Sequence, residues 1–160
     1  MRLKLTLSYQ GTRFAGWQVQ EHKHRSQPRT VQGVIEEAFA RIEGHPLRVQ
    51  GASRTDSGVH AEGQVLHVDV SDRDIDWQRA LNGLLPRDVR IRHIEPVSED
   101  FHAIFSARSK TYTYSLWLSR RYVLPQRRHF VWQVGELDLE AMGQAAKLLE
   151  GEHDFACFRN

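Results

Sequence analysis

The chain has 160 residues, 40% hydrophobic and 26% charged, with a net charge of +2 and one cysteine. That length holds one ordinary domain or two small subdomains, and the composition is that of a soluble globular protein. No apolar run reaches membrane-spanning length and no signal-peptide-like segment opens the chain; the lone Cys157 excludes an internal disulfide and suits a reducing cytosol.

In chain order, Leu3, Leu5 and Leu7 alternate with Lys4, Thr6 and Ser8, which predicts a first strand over 3–9. Residues 11–29 read as a long loop. Thr30 offers an N-cap to a helix with apolar positions at Val31, Val34, Ile35, Ala38, Phe39 and Ile42, and Gly44 offers its stop. A strand over 47–51 leads into a loop around Asp56, and 64–70 reads as the next strand. Trp77, Ala80, Leu81 and Leu84 mark a second helix closed by Pro86, followed by a strand over 89–94. The order strand-helix-strand-strand-helix-strand predicts an α+β fold whose first subdomain, 1–97, is a ferredoxin-like βαββαβ sandwich with a mixed or antiparallel sheet. Its two middle strands need not be spatial neighbours.

Residues 98–160 read as a second α+β subdomain. Its strands are expected over 111–118, where Tyr112 and Tyr114 share a face, and over 130–134. Asp138 can cap a helix carrying Leu139, Met142, Ala145, Ala146 and Leu149, stopped by Gly151. Two strands and one helix, against four and two in the first subdomain, make this unit an incomplete one, as of a truncated chain or of one completed by association. The apolar run at 155–158 would need a partner surface.

The run 51–61, Gly-Ala-Ser-Arg-Thr-Asp-Ser-Gly-Val-His-Ala, is the stretch richest in chemistry. Gly58 permits a sharp turn, so Asp56 can be presented on a loop. Arg54 lies two residues away, and a nearby cation would keep a carboxylate ionised, as nucleophilic catalysis by aspartate requires. Asp-Ser-Gly is also an ordinary structural turn, so spacing alone leaves both readings open. His60, four residues on, is more simply a loop-ordering hydrogen-bonding group than an acid or base. The basic stretches 20–29, with Arg25 and Arg29, and 120–129 suit either solvated loops or contacts to an RNA backbone. His22, His24, His67 and Asp69 form no recognised ligand spacing, so no metal is expected.

Taken together, residues 9–18 (Tyr-Gln-Gly-Thr-Arg-Phe-Ala-Gly-Trp-Gln), Thr30-Val31-Gln32, the run 51–61, residues 80–86 (Ala-Leu-Asn-Gly-Leu-Leu-Pro), Phe101-His102-Ala103, Tyr112-Thr113-Tyr114 and His153-Asp154-Phe155 resemble the tRNA pseudouridine synthase A family, motif by motif and in order. The resemblance implies isomerisation of uridine to pseudouridine in the tRNA anticodon arm, with no cofactor, by a cytoplasmic homodimer. It implies Asp56 as the nucleophile, acting at C1′, at C6 or through a glycal. Arg54 would pair with Asp56 and fill the space left by a flipped base, and Tyr112 would stack on the uracil, leaving Tyr114 as core. His60, Arg25 and Arg29 would contact the substrate. Four positions depart from the family pattern: Ser53 replaces a glycine, Gln10 an acid, Ile104 an arginine, and Thr111 a commonly basic residue. None removes the nucleophile. A non-catalytic RNA-binding domain and a metal-dependent hydrolase are the competing function classes.

Overall fold

The computed structural model describes residues 1–19 and 28–158 and divides into two compact units, Met1–Lys110 and Thr111–Asn160. The first holds β1 (Arg2–Tyr9), α1 (Val31–Glu43), β2 (Gln50–Gly51), β3 (Ala61–Asp69), α2 (Trp77–Leu84) and β4 (Val89–Val97). The second holds β5 (Leu116–Trp117), β6 (Trp132–Gln133) and α3 (Leu139–Lys147).

The first unit is a four-stranded antiparallel sheet, ordered β2-β3-β1-β4, with two helices. The alternation of β1 sets its two faces. Leu3, Leu5 and Leu7 are buried opposite Val68, Leu66 and Gln64 of β3. They join Val31, Ile35, Ala38 and Phe39 of α1 and Trp77 and Leu81 of α2 in one apolar core. Phe39 and Trp77 meet with ring centroids 5.8 Å apart, where the two helices cross over the sheet. Both helices start on side-chain caps: the Thr30 hydroxyl accepts from the Gly33 N–H and the Asp76 carboxylate from the Arg79 N–H. Gly44, in the left-handed conformation at φ 80°, ends α1.

The two middle strands are neighbours, with Gln50 opposite His67 and Gly51 opposite Leu66. The paired part of β2 is only two residues long, shorter than the 47–51 expected, because the Val49 N–H donates to the Glu36 carboxylate at 3.1 Å and the Val49 carbonyl accepts from the Gln32 amide at 3.4 Å, so these backbone groups are spent on α1 side chains. Residues 98–110, which the sequence placed with the second subdomain, group with the first unit. Their anchor is the sheet face opposite the helices, where His67 Nδ1 accepts from the Ala103 N–H at 3.1 Å and the His67 ring meets those of Phe101 and His102. Arg2 adds an ion pair to Asp69 at 2.8 Å and donates to the Glu99 and Phe101 carbonyls.

In the second unit β5 and β6 pair in parallel, Leu116 with Trp132 and Trp117 with Gln133. The longer strands expected over 111–118 and 130–134 are reduced to these two-residue pieces. Backbone groups extend a strand only where a neighbour answers them, and among the described residues none answers at 111–114. Tyr114, expected in a core, is 77% exposed, since no layer of this unit covers its face. Asp138 caps α3 as expected, accepting from the Ala141 N–H at 2.9 Å, but the apolar stripe of Leu139, Met142 and Leu149 stays exposed.

Thr30→Ala removes the cap that starts α1 beside the Gly16 and Trp17 carbonyls. It is expected to lower unfolding free energy by about 1 kcal/mol, read as a reduced urea midpoint with an unchanged slope.

Candidate active site

The Asp56 loop is built by contact with the segment that leaves β1. Tyr9, the last residue of β1, donates to or accepts from the Thr55 hydroxyl at 2.8 Å, and the Trp17 N–H donates to the Thr55 carbonyl at 2.9 Å. The Phe14 carbonyl accepts from both the Gly58 N–H, at 3.2 Å, and the Ser57 hydroxyl, at 3.3 Å. The Gly11 N–H donates to His60 Nδ1 at 3.2 Å. Residues 55, 57, 58 and 60 are thus all held by residues 9–17. Asp56 sits among them at a turn closed by the Val59 N–H on its carbonyl at 3.2 Å, with Gly58 at φ 82° and the carboxylate-bearing residue exposed.

Two glycines make the approach possible. A Cβ on Gly11 would stand 1.9 Å from the Val59 carbonyl oxygen, and one on Gly16 would stand 2.8 Å from that of Thr55. Gly16 also has φ 95°, a conformation that side chains disfavour. Behind this contact Phe14 and Trp17 are each only 2% exposed, with Trp17 6.2 Å from the Tyr9 ring. The aromatic residues of the segment are therefore core, and its backbone is the mould for the loop.

Ser53, where a glycine was expected, costs nothing conformationally: among the described residues only glycines have positive φ. Its carbonyl accepts from the buried Gln64 side chain, which fixes the start of the loop.

The structure brings Arg54, Asp56 and His60 into one loop. No ion pair joins Arg54 to Asp56 among the described residues; both are exposed. A solvated pair of this kind gains only about 0–1 kcal/mol, too little to hold two exposed side chains in one geometry. Tyr112 lies in the second unit, ahead of β5, and is 69% exposed. Arg25 falls outside the described residues. Arg29 is engaged by its own fold: its guanidinium makes two 2.8 Å bonds to the Asp88 carboxylate and stands 3.9 Å over the Phe14 ring. That bond holds the Asp88 carboxyl below the ordinary carboxylate range, against an opposing effect of burial. Asp88, Tyr9 and Thr55 are parts of the site that sequence reasoning did not single out. The Asp88 partnership spans 59 residues and leaves no local pattern. Tyr9 and Thr55 do lie inside the two recognised motifs, which was the available signal.

Among the described residues no group of three or more His, Cys, Asp or Glu is arranged to hold a metal ion, and no helix is long and apolar enough to cross a membrane.

Residues 6–106, which include this whole loop assembly, match the family model of tRNA pseudouridine synthase. The chain belongs to the tRNA pseudouridine synthase family. It is 56% identical to the tRNA pseudouridine synthase A of Nitratidesulfovibrio vulgaris strain Miyazaki, over 99% of this chain and 58% of that protein. It is 52% identical to the corresponding protein of Oleidesulfovibrio alaskensis, over 99% of this chain and 59% of the relative. For that of Oceanobacillus iheyensis the identity is 44%, over 98% and 61%. The chain therefore spans somewhat more than half the length of these family members.

Two outcomes follow from the loop's construction. Gly11→Ala forces backbone against backbone at Val59; it is expected to destabilise by about 1–3 kcal/mol and to speed amide hydrogen exchange across residues 55–60 before the sheet is affected. Asp88 has a lowered carboxyl in the folded protein, so its contribution to stability is complete above the ordinary carboxylate value of about pH 4 and is lost as pH falls through the lower folded value. Urea midpoints measured from pH 5 downwards should fall less steeply in Asp88→Asn than in the wild type.

Proposed function

We propose that the chain carries the nucleophile-bearing part of a tRNA pseudouridine synthase that isomerises uridine to pseudouridine in the anticodon stem-loop. The observation that carries this reading is Asp56, exposed on a turn whose neighbours on both sides are fastened to residues 9–17. A nucleophile must be rigid in its backbone and open at its carboxylate, and this loop combines the two.

In the reaction the C1′–N1 glycosidic bond breaks, the uracil turns, a C1′–C5 bond forms, and the hydrogen on C5 leaves as a proton. Nothing is oxidised or reduced, so the chemistry calls for no redox cofactor. Attack at C1′, attack at C6 and glycal formation all begin from the Asp56 carboxylate. The target base has to leave its stack, at a cost of a few kcal/mol. Arg54, two residues from the nucleophile, takes the vacated space. RNA closing over the loop lowers the local dielectric, which strengthens the attraction between Arg54 and Asp56 that water now screens. Tyr112 stacks on the flipped uracil, a contact worth about 1–3 kcal/mol. His60 orders the loop, a role its bond to Gly11 supports. Arg25 serves the RNA backbone as a basic-loop cation.

The wider setting belongs to the same reading. The strand order β2-β3-β1-β4 with two crossover helices supports a ferredoxin-like first subdomain, and the second unit is part of its α+β companion. The working protein is a cytoplasmic homodimer with tRNA as its partner.

Asp56→Asn in the full-length protein is expected to abolish pseudouridine formation, measured by nucleoside chromatography of digested tRNA, while tRNA affinity stays within about twofold. Turnover retained in that variant refutes the nucleophile. Binding without turnover in the wild type would mark an RNA-binding domain instead.

A further inference from the structure

The Arg29–Asp88 pair closes on the segment that moulds the Asp56 loop. The Arg29 guanidinium lies 3.9 Å over the Phe14 ring while its two terminal nitrogens hold the Asp88 carboxylate. The Arg29 carbonyl accepts from the Ala15 N–H at 2.9 Å, and the Asp88 carbonyl accepts from the Gln10 N–H at 2.9 Å. The two partners thus secure the segment at both ends. Phe14 passes the constraint on, because its carbonyl is the acceptor for Gly58 and Ser57, the two residues after Asp56.

We infer that Arg29 and Asp88 are positioning residues that set the Asp56 turn through Phe14, and that Arg29 is not a phosphate ligand. The inference rests on the reading of Asp56 as nucleophile for its catalytic consequence, though not for its structural one. Three features favour it over phosphate binding. The pair is neutral overall, so its pull on a phosphate is largely cancelled. The guanidinium's flat face is occupied by a ring that is 2% exposed. The bidentate geometry matches a carboxylate fork, which a lysine could not reproduce while also stacking on Phe14.

The test compares Arg29→Met, Arg29→Lys and Asp88→Asn in the full-length protein, by steady-state turnover of unmodified tRNA and by hydrogen exchange of the 55–60 peptide. Positioning predicts that all three lower kcat by about 10–100-fold with KM nearly unchanged, since a displacement of about 1 Å of a reacting group costs that much. It also predicts faster exchange at 55–60 with β1 and β3 still protected, the protected strands serving as the control for folding. A phosphate role predicts the reverse: Arg29→Lys rescues, Asp88→Asn leaves or lowers KM, and Arg29→Met raises KM and reduces the salt slope by about one. That pattern, or unchanged exchange at 55–60 in Asp88→Asn, overturns the inference. A wild type without turnover, or turnover that survives Asp56→Asn, defeats the nucleophile reading alone, and the exchange data still decide whether the clamp exists.

Discussion

Backbone meets backbone where residues 9–17 pass the Asp56 loop, and the rest of the first unit is arranged around that contact. Gly11 and Gly16 bring two stretches of main chain within a distance that any Cβ would block. Four hydrogen-bonded positions, Thr55, Ser57, Gly58 and His60, then fix the loop on its mould. The mould in turn needs Phe14 and Trp17 sunk into the core, the Thr30 cap that starts α1, and the sheet that presents Tyr9 at the end of β1. A carboxylate on an ordinary turn would sample many positions. Here the backbone under it is determined from both sides, and only the side chain is left to solvent.

Much of the first unit was legible from local pattern. The leucine alternation of β1, the Thr30 and Gly44 limits of α1 and the start of α2 at Trp77 all follow from short-range chemistry that tertiary structure did not override. The α+β class and the antiparallel sheet were legible from the order of the elements, while the pairing of the two middle strands was not. What escaped was non-local. The pairing of Arg29 with Asp88, and the docking of Ala103 on His67, join residues far apart in sequence whose types alone do not announce a partner. Residues 98–110 group with the first unit through contacts of the same non-local kind, because a segment without regular structure shows its allegiance only through contacts.

The candidate site divides along the same line. The position of Asp56 on a glycine turn was readable, since Gly58 and the flanking strands fix it locally. The state of its neighbours was not. Arg54 and Asp56 look like a pair when two residues apart, yet water screens them both in the free chain. Arg29 looks like an RNA-facing cation in a basic loop, and the sequence gives no sign that an acid across the fold matches its charge. In the second unit Tyr114 was expected in a core, on a face shared with Tyr112, but periodicity reports only which side chains share a face, and burial depends on whether another layer lies over it.

The most direct test of the account is tritium release from tRNA carrying uridine labelled at C5, followed in a single turnover with the full-length protein. Bond formation at C5 must expel that hydrogen, so the account predicts release in step with the loss of uridine, one label for each pseudouridine formed. Loss of uridine without release of label, or no release from a folded protein saturated with tRNA, would contradict it.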